Sequence, residues 1–231
     1  MENELQSSHV LRIINRYLIE VVEYFGLCPW ARAARENAEI AIEVVLGTTP
    51  TKQRGQYGDE GLAAAVEQRA LAAAAQLLTR PGIKLAIVVV VDPQCDRIAL
   101  RELRTKASAA MPSAGVADFH PDADADFGTP ARLVSFLRRA PDPFLQFVPF
   151  AILDAVRGGV QTVDRAAQLA LLATKGAGCP VALPREDIGD VIAARNHARL
   201  APDRGAEMLA VLEDIEADRK RSYRMVGLLV E

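Results

Sequence analysis

Between Leu5 and Phe25 apolar side chains return every three or four positions, at Val10, Ile13, Ile14, Tyr17, Leu18, Val21, Val22 and Phe25. That is the period of an amphipathic helix, with Ser7 or Ser8 as its natural N-cap. After Gly26 the pattern predicts a second, short helix from Pro29 to Asn37. Ile40–Leu46 alternates and is rich in β-branched residues, as a strand is. Gly47–Gly61 is glycine-rich with few apolar residues, and reads as a long loop of the kind that often carries function or moves. Asp59–Thr79 is an Ala-rich helix closed by Arg80-Pro81-Gly82. The next strand is Lys84–Val91, whose unbroken Leu-Ala-Ile-Val-Val-Val-Val predicts burial on both faces, as in a central parallel position.

Asp96–Met111 follows as a helix and Gly115–His120 as a strand. Thr129-Pro130, a cap followed by proline, opens a helix that runs to Arg139. Pro141-Asp142-Pro143 breaks it. Phe144–Val148 is either an edge strand or an apolar segment packed on the core. Beyond Phe150 the chain reads as helices over Phe150–Arg157, Thr162–Thr174, Arg185–Leu200 and Arg204–Tyr223. The loop Lys175–Pro180 carries two glycines but follows no strand, which makes it a weak phosphate-loop signal. This order predicts an α/β fold with a mixed or mostly parallel sheet of three to four strands and crossover helices. Residues 1–150 would form that core, and residues 151–231 a helical C-terminal extension packed on it.

Composition narrows the partners. A formal charge of −3 over 231 residues, with no stretch interleaving Lys/Arg and aromatics, argues against nucleic acid. The run Arg219-Lys220-Arg221 closes a helix, where cations suit the dipole. The apolar run Leu85–Val91 is far too short to span a bilayer, and Met1-Glu2-Asn3-Glu4 lacks the basic start of a signal peptide. Cys28, Cys95 and Cys179 form neither a CxxC pair nor a disulfide framework. The expectation is a cytoplasmic protein with no nucleic-acid or membrane partner and room for a small-molecule substrate. Cofactor and oligomeric state are not legible in the chain.

Two places bear chemistry. Cys28 falls at or beside the predicted cap of the helix that Pro29 opens, facing unpaired backbone donors that favour thiolate over thiol. Arg32 and Arg35 share that helix face. The bland alternative is a buried cysteine acting as a small hydrophobe beside an anchoring Trp30. The second place is Asp118-Phe119-His120-Pro121-Asp122, where a strand passes into a loop, the usual address of functional groups in open α/β sheets. Asp122 would orient the His120 imidazole as in a general-base pair, or His120 would merely cap a turn. Asp122-Ala-Asp124-Ala-Asp126-Phe-Gly128 looks like the start of a calcium loop. Its glycine comes one place late, however, and Leu133 stands where a bidentate glutamate belongs. His120 with Asp118, Asp122, Asp124 and Asp126 is the remaining metal option, against a plain solvated acidic turn. His9 and His197 read as surface residues.

Taken together these residues resemble domain-of-unknown-function family 1415. Leu27-Cys28-Pro29-Trp30-Ala31 is similar to that family's Leu-Cys-Pro-Phe-Ala, and Phe119-His120-Pro121-Asp122 matches its Phe-His-Pro-Asp. Thr129-Pro130 through Leu137-Arg138-Arg139-Ala140 matches its Pro-led helix, and Ile192-Ala-Ala-Arg195-Asn196 is a late echo. The chain departs from the family at Asp92 and Ser135, each replacing a histidine, and at Ala123, replacing a tyrosine. Asp92 suits a hard or borderline cation; Ser135 does not replace a ligand. The resemblance implies no reaction, but it groups Cys28, His120, Asp122 and Arg138 as one recurring set.

The leading expectation is an enzyme with a Cys28 thiolate, His120 as its base and Asp122 as orienter. Arg32 and Arg138 would hold an anionic group of the substrate, joined by Arg195 and Asn196 from the late echo. A metal site through His120 and nearby Asp residues, and a non-catalytic interaction module, are the other two classes.

Overall fold

In the computed structural model, residues 2–28, 30–47, 62–124, 126, 128–153, 194, 196–200 and 203–228 are described. Leu85–Val91 (β2) is buried from Ala86 to Val90, and the reason is alternation. Ile87 and Val89 face one apolar cluster, while Ala86, Val88 and Val90 face another. On one side β2 pairs in parallel with Ile40–Leu46 (β1), in the register Ile42 opposite Ile87. On its other side lies Phe144–Pro149 (β4), antiparallel. Ala114–Phe119 (β3) pairs antiparallel with the far side of β4. The sheet is therefore mixed and four-stranded, in the order β1-β2-β4-β3.

Two expectations change here. β2 is central, but parallel to only one neighbour. β4 is neither an edge strand nor a loose apolar segment: Phe144, Leu145 and Phe147 are buried, on alternate faces. The crossover from β2 to β3 leaves a gap one strand wide, and β4 fills it from the opposite direction.

Helices cover both faces. Ala64–Leu78 (α3) and Arg97–Ala110 (α4) lie on one, through Val66, Ala70, Leu77, Leu100 and Leu103. α4 starts where Asp96 caps it, its carboxylate accepting from the amides of Ile98 and Ala99 at 2.9 and 2.8 Å. Glu2–Arg16 (α1) lies on the other face and continues as seven residues of π-helix, Tyr17–Glu23. The wider winding shows in the amides of Tyr24 and Leu27, which donate to the carbonyls of Ile19 and Val22, five residues back. The cap expected at Ser7 or Ser8 is not one. The helix begins earlier, and the Ser8 hydroxyl donates back to the Leu5 carbonyl.

A short α2, Ala31–Glu36, links this helix to β1. Pro130–Phe136 (α5) opens on Thr129, whose hydroxyl accepts from the Arg132 amide. Asp203–Met225 (α6) then returns across α1. Val10, Ile13, Ile14 and Tyr17 share a cluster with Met208, Leu212, Ile215 and Tyr223, so α6 supplies part of the interior. The exposed seam is closed by Arg12 and Arg16, both 2.7 Å from Asp218. Among the described residues no helix is long and apolar enough to cross a membrane. The helices expected at 162–174 and most of 185–200, and the loop 175–180, lie outside the described residues, as does most of the loop 47–61.

Candidate functional site

β1, β2 and β3 all run the same way, so their carboxyl ends share one edge of the sheet. His120 stands one residue past the end of β3 on that edge. Its amide donates to the Arg138 carbonyl at 3.0 Å, which ties the strand exit to the turn after α5. The ring is buried, and both its nitrogens are in use. Nε2 lies 3.0 Å from the Cys95 carbonyl, an acceptor only, so Nε2 carries the proton. Nδ1 accepts from the Asp122 amide at 3.1 Å. His120 thus stitches the β2–α4 loop to the β3 exit. It keeps no lone pair for a substrate, and the general-base role is not one this geometry supports. Asp122 does orient the imidazole, but through its backbone. Its carboxylate is 79% exposed and 3.8 Å from Nδ1.

Beside this stitch lies a cavity of about 250 Å³ lined by Arg97, Arg101, Asp118, His120, Ala123, Val134, Ser135 and Arg138. α4 contributes Arg97 and Arg101, one turn apart on a single face. The end of α5 and the turn after it contribute Val134, Ser135 and Arg138. Asp118, pointing from β3 to the same side as His120, meets two guanidiniums with one oxygen: Arg104 at 3.3 Å and Arg138 at 3.4 Å. Arg97 reaches the Asp122 carbonyl at 3.1 Å and Asp124 at 3.3 Å.

These contacts are long for charge-assisted bonds, which settle near 2.7–2.9 Å. Several pairs elsewhere are tighter, Arg12 and Arg16 on Asp218 at 2.7 Å, Arg35 on Glu23 at 2.6 Å and Arg219 on Asp142 at 2.7 Å, while exposed pairs such as Arg132 on Asp126 at 3.3 Å are equally long. Arg101 is exposed and, among the described residues, has no ion pair.

Cys28 stands elsewhere. It does not line the cavity, nor do Trp30 and Ala31, whose amides face its sulfur. The chain ties it through α2 to the start of β1, the edge strand opposite β3. The expected amide donors are present, but burial outweighs them and pushes the thiol above the ordinary cysteine range. This direction runs against the thiolate expectation: α2 is six residues long and its cap is Trp30, so Cys28 stands two residues before the cap. In a Cys179→Ser background, the maleimide rate of Cys28 should therefore reach half its maximum above ~8.5, the ordinary thiol value. A midpoint below ~7.5 would restore the reactive cysteine.

The other sequence candidates scatter. Arg32 is 67% exposed, 3.6 Å from Glu23. Asn196 is buried, its amide donating to the Leu27 carbonyl at 3.4 Å, so it braces the segment before Cys28. Pro29 and Arg195 lie outside the described residues. Asp92 accepts from the Gln94 amide at 2.8 Å in a tight turn. Asp126 accepts from the Gly128 amide at 2.8 Å and pairs with Arg132. Among the described residues no three His, Cys, Asp or Glu side chains gather as a metal site would need. Among the described residues, Arg138 alone of the predicted anion holders lines the cavity.

Sequence reasoning passed over Arg97, Arg101 and Arg104. Their i, i+4, i+7 spacing on the helix that feeds β3 is the signal that could have found them. Comparisons with protein-family models, curated proteins and solved structures found no match.

Proposed function

We propose that this protein binds a small anionic molecule in the cavity between α4 and α5, with Arg97, Arg101 and Arg138 as its cationic lining. The supporting observation is the convergence of three guanidiniums on one cavity that a single carboxylate, Asp118, lines. Arg97 and Arg138 are held 3.3–3.4 Å from carboxylates, and Arg101 has no ion pair among the described residues, so donors remain to spare. The position agrees, since ligands of open α/β sheets sit beyond the carboxyl ends of the strands. The lining offers no unengaged imidazole or thiol: His120 is engaged on both sides, Cys28 is absent from it, and Asp118 is paired with Arg104 and Arg138. Binding is therefore the function proposed.

Calorimetric titration with phosphate, sulfate and propionate tests it. At least one anion should bind the wild type at millimolar concentration or tighter. Arg101→Glu, on the exposed face of α4, should weaken that binding at least tenfold while leaving the unfolding midpoint within a degree or two. If no anion binds, or if the variant binds as the wild type does, the proposal fails.

A further inference from the structure

We infer that the ligand of this cavity is a small phosphate monoester in its dianionic form; the inference rests on the anion-binding reading above. Charge comes first. Three guanidiniums and one carboxylate line the cavity, an excess of two positive charges. The carboxylates of Asp122 and Asp124 are 79% and 72% exposed and do not line it. Arg104 sits on Asp118 from α4 and holds part of that carboxylate's charge. A phosphate monoester carries close to two negative charges above its second ionisation near ~6. A carboxylate or a sulfate ester carries one.

Shape comes second. Arg97 and Arg101 project from one helix and Arg138 from beyond another, so the donors approach from more than one direction. A tetrahedral group with three terminal oxygens can use donors so placed. A planar carboxylate has only two oxygens, both in one plane, and meets donors spread in this way less fully. Ser135 adds a hydroxyl able to donate to an oxygen or accept from a ligand hydroxyl.

Size and polarity come third. At about 250 Å³ the cavity falls below the ~300–1,000 Å³ typical of drug-sized ligands, which leaves room for only a few carbons beyond the phosphate. Val134 and Ala123 give those carbons an apolar wall. A bare phosphate would leave that wall unused.

Ethyl phosphate, ethyl sulfate, propionate and inorganic phosphate separate the possibilities, titrated at pH 7.5 into the full chain. Ethyl phosphate should bind at least tenfold tighter than ethyl sulfate, which has its shape but half its charge, and tighter than propionate by a similar factor. It should also exceed inorganic phosphate, and Val134→Ser should narrow the ratio of the two dissociation constants, both measured on the variant itself. Equal binding of the sulfate or carboxylate would overturn the dianion assignment but leave an anion site standing. Tighter binding of inorganic phosphate would overturn the ester assignment. Failure of all four would remove the underlying reading as well.

Discussion

Asp142→Ala is expected to cost about 3–5 kcal/mol of folding stability, the loss typical when one partner of a buried ionic cluster is removed. Asp142 is fully buried in the turn that leads into β4. Arg219 donates to one of its oxygens at 2.7 Å and the Tyr223 hydroxyl to the other at 2.6 Å. The guanidinium also lies over the Tyr223 ring, 4.5 Å from its centroid. Both donors belong to α6, so this cluster fastens the last helix to the turn before β4. Alanine would leave a guanidinium only 17% exposed, and a buried hydroxyl, with no acceptor. Asp142→Asn keeps one acceptor but still removes the counter-charge of Arg219, and should cost less than alanine, about 2–3 kcal/mol. Urea unfolding at pH 7 measures both. Equal losses for the two variants would mean that the packing of α6, not the cluster, holds it.

The acid side of the stability profile follows from the same groups. Burial pushes the Asp142 carboxyl above the ordinary range, although Arg219 and Tyr223 pull the other way. The folded chain therefore holds that proton more tightly than the unfolded chain. The part of the stability linked to that proton, separate from the hydrogen bonds to Arg219 and Tyr223, is full below ~3.9 and is lost as pH rises through the raised value. Asp218 has the opposite sign. Hydrogen bonds from Arg12, and then Arg16, hold it well below the carboxylate range. Its contribution is present above ~3.9 and disappears as pH falls. Asp142→Asn should thus remove the first dependence and leave the second.

Elements whose burial is decided by their own period were legible in the chain. β1 and β2 fall where alternation and the β-branched run place them, and α4 begins at the Asp96 its cap chemistry selects. What depends on a distant partner was not. Nothing in Phe144–Pro149 says that the chain will reverse and fill the gap between β2 and β3. The same holds within the candidate site. The amides that face the Cys28 sulfur follow from the turn into α2, but the desolvation that overrides them comes from packing that no local window contains. The Phe-His-Pro-Asp run marked a strand exit correctly. The carbonyl that engages its histidine sits 25 residues away, at Cys95.

That histidine carries the second large effect. His120→Ala should cost about 2–4 kcal/mol, since it orphans the Cys95 carbonyl and the Asp122 amide and opens a void where the ring stood. Gln places an amide N–H where Nε2–H was, and Asn places an oxygen where Nδ1 was, so each should recover part of the loss. A ring held between a carbonyl and an amide has one tautomer, with the proton on Nε2. Long-range ¹H–¹⁵N spectra should show the neutral ring as the Nε2–H tautomer alone. A freely exchanging mixture of tautomers, together with an alanine variant as stable as the wild type, would mean that the ring is not a stitch. The imidazole would then again be available for proton transfer at the mouth of the arginine cavity.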